Sequence, residues 1–134
     1  LVSVPVSTSA DVAQAAAELC GKKIDVVAQV VDNLTRPGFA LIARKAAENN
    51  LPVYVFDSDQ MKDGGVICLS RDYYDAGLEA ALEASQVLGG KNPADIPFHN
   101  TRSEKLIVNP LLAKQYRLSL PDGLLEKADV YADE

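Results

Sequence analysis

A chain of 134 residues has the length of one domain, or of one lobe of something larger. With 48% hydrophobic and 24% charged residues, its composition excludes a disordered chain. A net charge of −6 argues against a nucleic-acid partner, because phosphate binding needs clustered Lys and Arg. No apolar run approaches the roughly 18 residues of a membrane span, and residues 1–6 are too short, with no basic segment before them, to form a signal peptide.

Residues 1–6 carry three valines and read as a first strand. Thr8 and Asp11 have capping-box spacing, with Ser9 as a competing cap. Val12, Ala15, Ala16 and Leu19 then recur at helical spacing up to Gly21. Residues 24–31 form a β-branched run suited to a strand buried on both faces. Asp32-Asn33-Leu34-Thr35 is a polar break, and Pro37 fits the first turn of a second helix with Phe39, Ile42, Ala43, Ala46 and Ala47 as its apolar stripe. Residues 53–56 predict a third strand, followed by Asp57-Ser58-Asp59. Gly64-Gly65 is a turn before a strand at 66–69. Asp72 with Asp75 predicts a capped helix running to Leu88, and at least one of Tyr73 and Tyr74 is expected in the core. Residues 91–103 read as a loop, 106–108 as a last strand, and Pro110 opens a final helix before a short Leu-rich segment after Pro121. Alternation of strand and helix is the α/β signature, with an open, mostly parallel sheet.

The two cysteines, Cys20 and Cys68, are far apart in sequence, and the only histidine is His99. Metal ligation is therefore not expected. The two thiols read as small buried apolar side chains, with a single disulfide left open.

In an open parallel sheet, ligands bind beyond the carboxyl ends of the strands. Those ends fall at Ser7-Thr8-Ser9, Asp32-Asn33, Phe56-Asp57-Ser58-Asp59 and residues 70–74. Carboxylates there can pair with an ammonium group. Asn and Ser can meet a carboxylate or hydroxyl, and an aromatic ring can cover an apolar part of a ligand. A structural reading competes with this at several positions: Asp32 and Asn33 could simply begin a turn, and Asp57 could cap the next segment. Enzyme signatures are missing. There is no GxGxxG, P-loop or GxSxG motif, and His99 lies in a proline-bounded loop away from the strand ends. An Asp57/Asp59 pair holding a divalent metal is the remaining enzymatic option.

Six segments together resemble a known family: VPVSTSADVAQAAAEL (4–19), DVVAQVVDN (25–33), LPVYVFDSD (51–59), SRDYYDAGLEAA (70–81), GGKNPADIP (89–97) and EKLIVNPLLAKQYRLSLPDGLLEKAD (104–129). In this order they are similar to the substrate-binding proteins of ABC importers, in the branch that includes tryptophan- and tyrosine-binding lipoproteins. The resemblance implies a type I periplasmic-binding-protein fold of two α/β lobes around a ligand cleft. It places this chain as the second lobe plus the C-terminal tail, without that lobe's first strand and helix. Residues 1–70 would be the lobe core. Residues 71–104 would be a helix and loop packing on the absent first lobe, or on a second copy of the chain. Residues 105–134 would be a hinge-crossing strand and tail.

The same resemblance implies a non-enzymatic, extracytoplasmic protein, periplasmic or membrane-anchored, that needs no cofactor or metal. It would bind a small polar solute, such as an amino acid, and deliver it to an ABC permease. A regulatory ligand-binding domain of the kind fused to repressors is the alternative. Carried over by motif, Asp32, Asn33 and Asp57 are the expected ligand contacts, with Phe56, Ser58 and Asp59 next. Two positions depart from the family pattern. Phe56 replaces a small residue, which would shrink or re-line the pocket, and Val31 replaces a threonine, which removes a hydroxyl.

Overall fold

The computed structural model describes residues 1–30, 32–100 and 103–131. Among these, the sheet strands are β1 (Val27–Ala28), β2 (Val53–Val55), β3 (Ile67–Arg71), β4 (Glu104–Val108) and β5 (Asp129–Val130). They lie side by side in the order β1-β2-β3-β4-β5. β1 pairs with β2, β2 with β3, and β4 with β5 in parallel, while β3 and β4 run antiparallel. The sheet is therefore mostly parallel, as the alternation of elements predicts.

The helices follow their sequence signals. A short 3-10 turn, Ser9–Asp11, leads into α1 (Val12–Cys20). The Asp11 carboxylate accepts from both the backbone N–H and the hydroxyl of Thr8 at 2.8 Å, which satisfies orphan groups at the helix entry. α2 spans Phe39–Glu48, and its stripe of Phe39, Ile42, Ala43 and Ala46 is buried. Pro37 lies just ahead of this helix rather than in its first turn, because Gly38 takes the N-cap position. Gly38 is also where α2 meets α1: a Cβ built there would stand 2.9 Å from Val12 Cγ1. One core joins α1 and α2 to the first three strands, with Phe39, Val53, Val55, Met61 and Cys68 among its most buried members. Both cysteines are buried and unpaired, as small apolar side chains are.

Asp72 caps α3 (Tyr73–Leu88), its carboxylate accepting from the N–H groups of Tyr74 and Asp75. α4 (Pro110–Gln115) starts at Asn109, a buried N-cap that holds the N–H groups of Leu111 and Leu112. α5 is one short turn, Asp122–Leu125.

Four expectations need correction. Residues 1–6 form no strand; β-propensity creates a strand only where a partner supplies a ladder, and none lies beside them. Consequently Ser7-Thr8-Ser9 is not a strand end but the entry to the 3-10 turn. Of the run 24–31, the described residues 24–30 contain only the short β1 and are not buried on both faces: Val27 and Gln29 point inward, while Ala28 and Val30 face out. Neither Tyr73 nor Tyr74 is in the core, at 77% and 75% exposure, because nothing among the described residues covers their side chains. Val31, the position that departs from the threonine of the family pattern, lies outside the described residues, as do the last three residues of the 105–134 segment.

Candidate functional site

β1, β2 and β3 are parallel, so their carboxyl ends share one edge of the sheet. Beyond β1 the chain turns through Asp32–Thr35. Beyond β2 it runs through Phe56 and Asp57 into a 3-10 turn at Ser58–Asp63. β3 ends at Arg71, where an ion pair of 3.7 Å joins it to Glu104 at the start of the antiparallel β4. All six expected ligand residues therefore sit in the two loops after β1 and β2.

Two of the six serve mainly to build those loops. Asp32 Oδ1 accepts from the backbone N–H groups of Leu34 and Thr35 at 2.6 and 2.8 Å, and Oδ2 accepts from the Thr35 hydroxyl at 2.9 Å. This is a turn closed by its own aspartate. The bonds from Thr35 and Leu34 hold the Asp32 carboxyl below the ordinary aspartate range. Asp57 is buried. Its Oδ1 accepts from the N–H of Asp59 at 3.1 Å, capping the 3-10 turn, and its Oδ2 accepts from Arg36 Nε at 2.7 Å.

Arg36 was not legible as a site residue, yet it ties the loops together. It sits on the β1 loop and reaches two carboxylates of the β2 loop, Asp57 and, at 3.5 Å through its terminal nitrogen, Asp59. A second tie runs below the surface. Gln60 Nε2 donates to Gln29 Oε1 at 2.9 Å, and Gln29 Nε2 donates to Thr35 Oγ1 at 2.8 Å. The chain of bonds thus passes from the β2 loop through the buried Gln29 to Thr35 and Asp32. The one sequence hint is Gln29, a polar residue at an inward position of a β-branched run. The Gln60 Oε1 atom is buried without a hydrogen-bond partner among the described residues.

The other four expected residues lie exposed at this rim, Asp59 with its carboxylate paired to Arg36. Asn33, Phe56, Ser58 and Asp59 are exposed, and the Asn33 and Ser58 side chains hold no hydrogen bond among the described residues. The two loops carry three carboxylates, of Asp32, Asp57 and Asp59, and the Arg36 guanidinium pairs with the last two, so the rim stays acidic. Such a rim can receive an ammonium group, with Asn33 and Ser58 as neutral donors and acceptors and the Phe56 ring as an apolar cover. Nearby, Cys68 and Ser70 are buried in β3; burial raises the Cys68 thiol pKa, so it stays protonated and unreactive. No group of three or more metal-ligating side chains gathers among the described residues, and none of their helices is long and apolar enough to cross a membrane.

Comparison with known proteins agrees with this architecture. A family model described as ABC transporter substrate binding protein matches residues 1–131. The chain is 33% identical over 109 residues to a tyrosine-binding protein of Clostridioides difficile, a match covering 81% of this chain and 31% of that protein. A conserved domain protein of Vibrio cholerae superposes with a TM-score of 0.80 at 25% identity, over 97% of this chain and 44% of its own. An ABC domain from Streptococcus pneumoniae in complex with L-Trp superposes with a TM-score of 0.76 at 23% identity, over 93% of this chain and 43% of its own. The chain thus spans about a third of the length of the curated relative, and under half of each structure.

Proposed function

The chain belongs to the ABC transporter substrate binding protein family, a family of binding proteins and not of enzymes, and from that premise we propose that it forms one wall of a solute cleft serving an ABC importer. The observation that carries this reading is the double tie between the β1 and β2 loops, Arg36 to Asp57 and Asp59, and Gln60 to Gln29 to Thr35. It holds a rim rigid before any ligand arrives, and preorganisation lowers the cost of binding. The ligand is a small amino acid-like solute whose ammonium group meets Asp59 and the acidic rim, while Asn33 and Ser58 take its remaining polar groups. Phe56 covers its apolar part. The C. difficile relative is named for tyrosine, which makes L-tyrosine the first solute to try.

The opposite wall of the cleft comes from a second lobe, within the length that the relatives carry beyond this span. α3 is the surface that meets it. None of its residues is buried, and Tyr73, Tyr74, Leu78, Leu82 and Leu88 are all at least half exposed. Closure of two lobes on the ligand, favoured because the ligand contacts both, gives a permease a shape to recognise. The protein works outside the cytoplasm, where an importer collects its solute.

The experiment is a thermal-shift titration of the full-length protein with L-tyrosine, L-tryptophan and other amino acids. A ligand at about 100 times its Kd stabilises by roughly 2.7 kcal/mol. Asn33→Ala should erase that shift and leave the ligand-free melting temperature unchanged. No shift with any amino acid, in folded and ligand-free protein, overturns the reading.

A further inference from the structure

The segment that follows α3 turns back along the helix as a strap. Its root is held where the Lys91 N–H donates to the Gln86 carbonyl at 3.0 Å. Its far end is held at the opposite end of the helix, where the Asp72 N–H donates to the Ser103 carbonyl at 3.3 Å. A 3-10 turn at Pro93–Asp95 lies in between. A cleft of about 760 Å³ separates strap and helix, with Ala80, Ala84 and Val87 on the helix side and Pro93, Ile96 and Pro97 on the other. His99 and Glu83 also border it, and His99 Nε2 stands 2.7 Å from Glu83 Oε1.

Both ring nitrogens of His99 face acceptors. Nδ1 lies 2.9 Å from the Asn100 carbonyl oxygen, and a carbonyl offers no proton. Nε2 faces the Glu83 carboxylate, which when ionised offers none either. A neutral imidazole has one N–H and satisfies only one of these two neighbours. Satisfying both requires a proton on each nitrogen, or one proton shared with Glu83. An ordinary glutamate gives up its proton at about pH 4.3 and an ordinary histidine at about 6.5, so the shared proton belongs on the ring. Among the described residues, the other ionisable groups bordering this place are Glu79 on α3 and Lys91 on the strap. The Lys91 ammonium donates to Gln86 Oε1 at 2.8 Å, while the two carboxylates of α3 favour a cationic ring.

We infer that His99 is a proton-operated clamp: as an imidazolium it fastens the strap to α3 through Glu83, and loss of its proton releases that tie and opens the cleft. The direction follows from linkage. A ring that gains an anionic partner on folding holds its proton more tightly than in the unfolded chain. The clamp's stabilisation is therefore fully present below about pH 6.5 and is lost as the pH rises through the higher folded value. In the neutral ring, one acceptor, the Asn100 carbonyl or the Glu83 carboxylate, faces a lone pair wherever the remaining proton sits. The His99 and Glu83 side chains are 34% and 42% exposed, so the proton exchanges with solvent without unfolding of the chain. The clamp lies on α3 and its strap, apart from the β1 and β2 loops, so its test needs no solute.

His99 is the single histidine of the chain, so one set of imidazole signals reports it. A nuclear magnetic resonance titration of the 134-residue chain, with nitrogen-15 in the ring, reads the midpoint and the protonation of each nitrogen. The midpoint should lie about half a pH unit or more above that of the same chain unfolded in urea, which is a roughly threefold preference of the strapped form for the protonated ring. Glu83→Gln keeps a neutral acceptor in place and should remove most of the rise, whereas Glu79→Gln should remove less. Below the midpoint the Overhauser contact between the His99 ring and the Glu83 side chain should be present, and it should fade as the ring loses its proton. A midpoint equal to that of the unfolded chain overturns the inference. So does a rise that Glu83→Gln leaves intact, which would assign it to the summed field of an acidic chain. A contact that persists unchanged above the midpoint also overturns it, because the strap then holds without the proton. If Glu83→Gln does not fold, the midpoint and the contact in the unsubstituted chain decide.

Discussion

Arg36 Nε and Asp57 Oδ2 lie 2.7 Å apart, joining residues 21 positions apart on the loops that follow two neighbouring parallel strands. The pair is asymmetric. The Asp57 side chain is 9% exposed and the Arg36 side chain 54%, so the guanidinium keeps water on its outer face while it neutralises a carboxylate that has lost most of its own. A charge-assisted bond of this kind contributes more than a surface ion pair.

Removing the arginine therefore strands a buried charge. Arg36→Met should destabilise the fold by about 1–3 kcal/mol, the range for leaving a buried polar group unsatisfied, below that for a fully buried ion pair because Arg36 is half exposed. Arg36→Lys should recover part of this, because an ammonium reaches one carboxylate but cannot span Asp57 and Asp59 as a fork does. Adding Asp57→Asn to Arg36→Met should restore stability relative to Arg36→Met alone, by removing the stranded charge. Urea unfolding of the four proteins measures all three effects, and an Arg36→Met chain as stable as the parent would show that water already solvates Asp57.

Asp32 links stability to pH. Its carboxyl sits below the ordinary aspartate value of 3.8 in the folded chain, first through the Thr35 N–H and then through the Leu34 N–H and the Thr35 hydroxyl. A depressed folded pKa means that its stabilisation is fully present above 3.8 and is lost as the pH falls through the lower folded value. Asp32→Asn keeps an acceptor for the same N–H groups but cannot titrate. The stability difference between parent and Asp32→Asn should be constant from pH 5 to 7 and shrink below the ordinary aspartate value. A difference that stays flat to pH 2 would contradict the hydrogen-bonded turn.

Much of this architecture is legible in the residues themselves. Asp72 and Asp11 sit at cap spacing and do cap, and the α2 stripe of Phe39, Ile42, Ala43 and Ala46 is the buried face. Local signals of this kind need only a few neighbouring residues. The misses are non-local. Residues 1–6 have the composition of a strand but no ladder partner, and Tyr73 has the size of a core residue but nothing above it. At the rim, the residue types of Asp32 and Asp57 single out the two loops after β1 and β2, while the bonds they make depend on partners that spacing does not reveal. Thr35 is three residues away and could have been suspected. Arg36 and Gln60 bond residues 21 and 31 positions distant, across separate strands, and only the fold brings them together.

Gly38 should resist substitution for a steric reason. A Cβ there would approach Val12 Cγ1 to 2.9 Å, and a valine rotamer on a packed helix has little room to yield. Gly38→Ala should cost about 1–3 kcal/mol through overpacking, even though alanine restricts the unfolded chain and recovers a few tenths. Val12→Ala in the Gly38→Ala background should return part of the loss, whereas Val12→Ala alone destabilises by opening a cavity. A double-mutant cycle by urea unfolding gives the coupling, and zero coupling would mean that α1 and α2 do not meet at this point.

α3 gives the opposite expectation. Leu82 is 65% exposed on a helix with no buried residue, so it contributes almost nothing to the fold of this chain. Leu82→Lys should change the unfolding free energy of the 134-residue chain by less than about 0.5 kcal/mol, as surface substitutions do. In the full-length protein the same substitution should destabilise measurably, because the proposed packing of the α3 face on a second lobe would bury the lysine's charge in that contact. The comparison separates two explanations of an apolar helix in water. A face that only covers another lobe is silent in the part and costly in the whole. Equal, small effects in both would show that α3 remains solvent-exposed in the complete protein and that the second lobe contacts this one elsewhere.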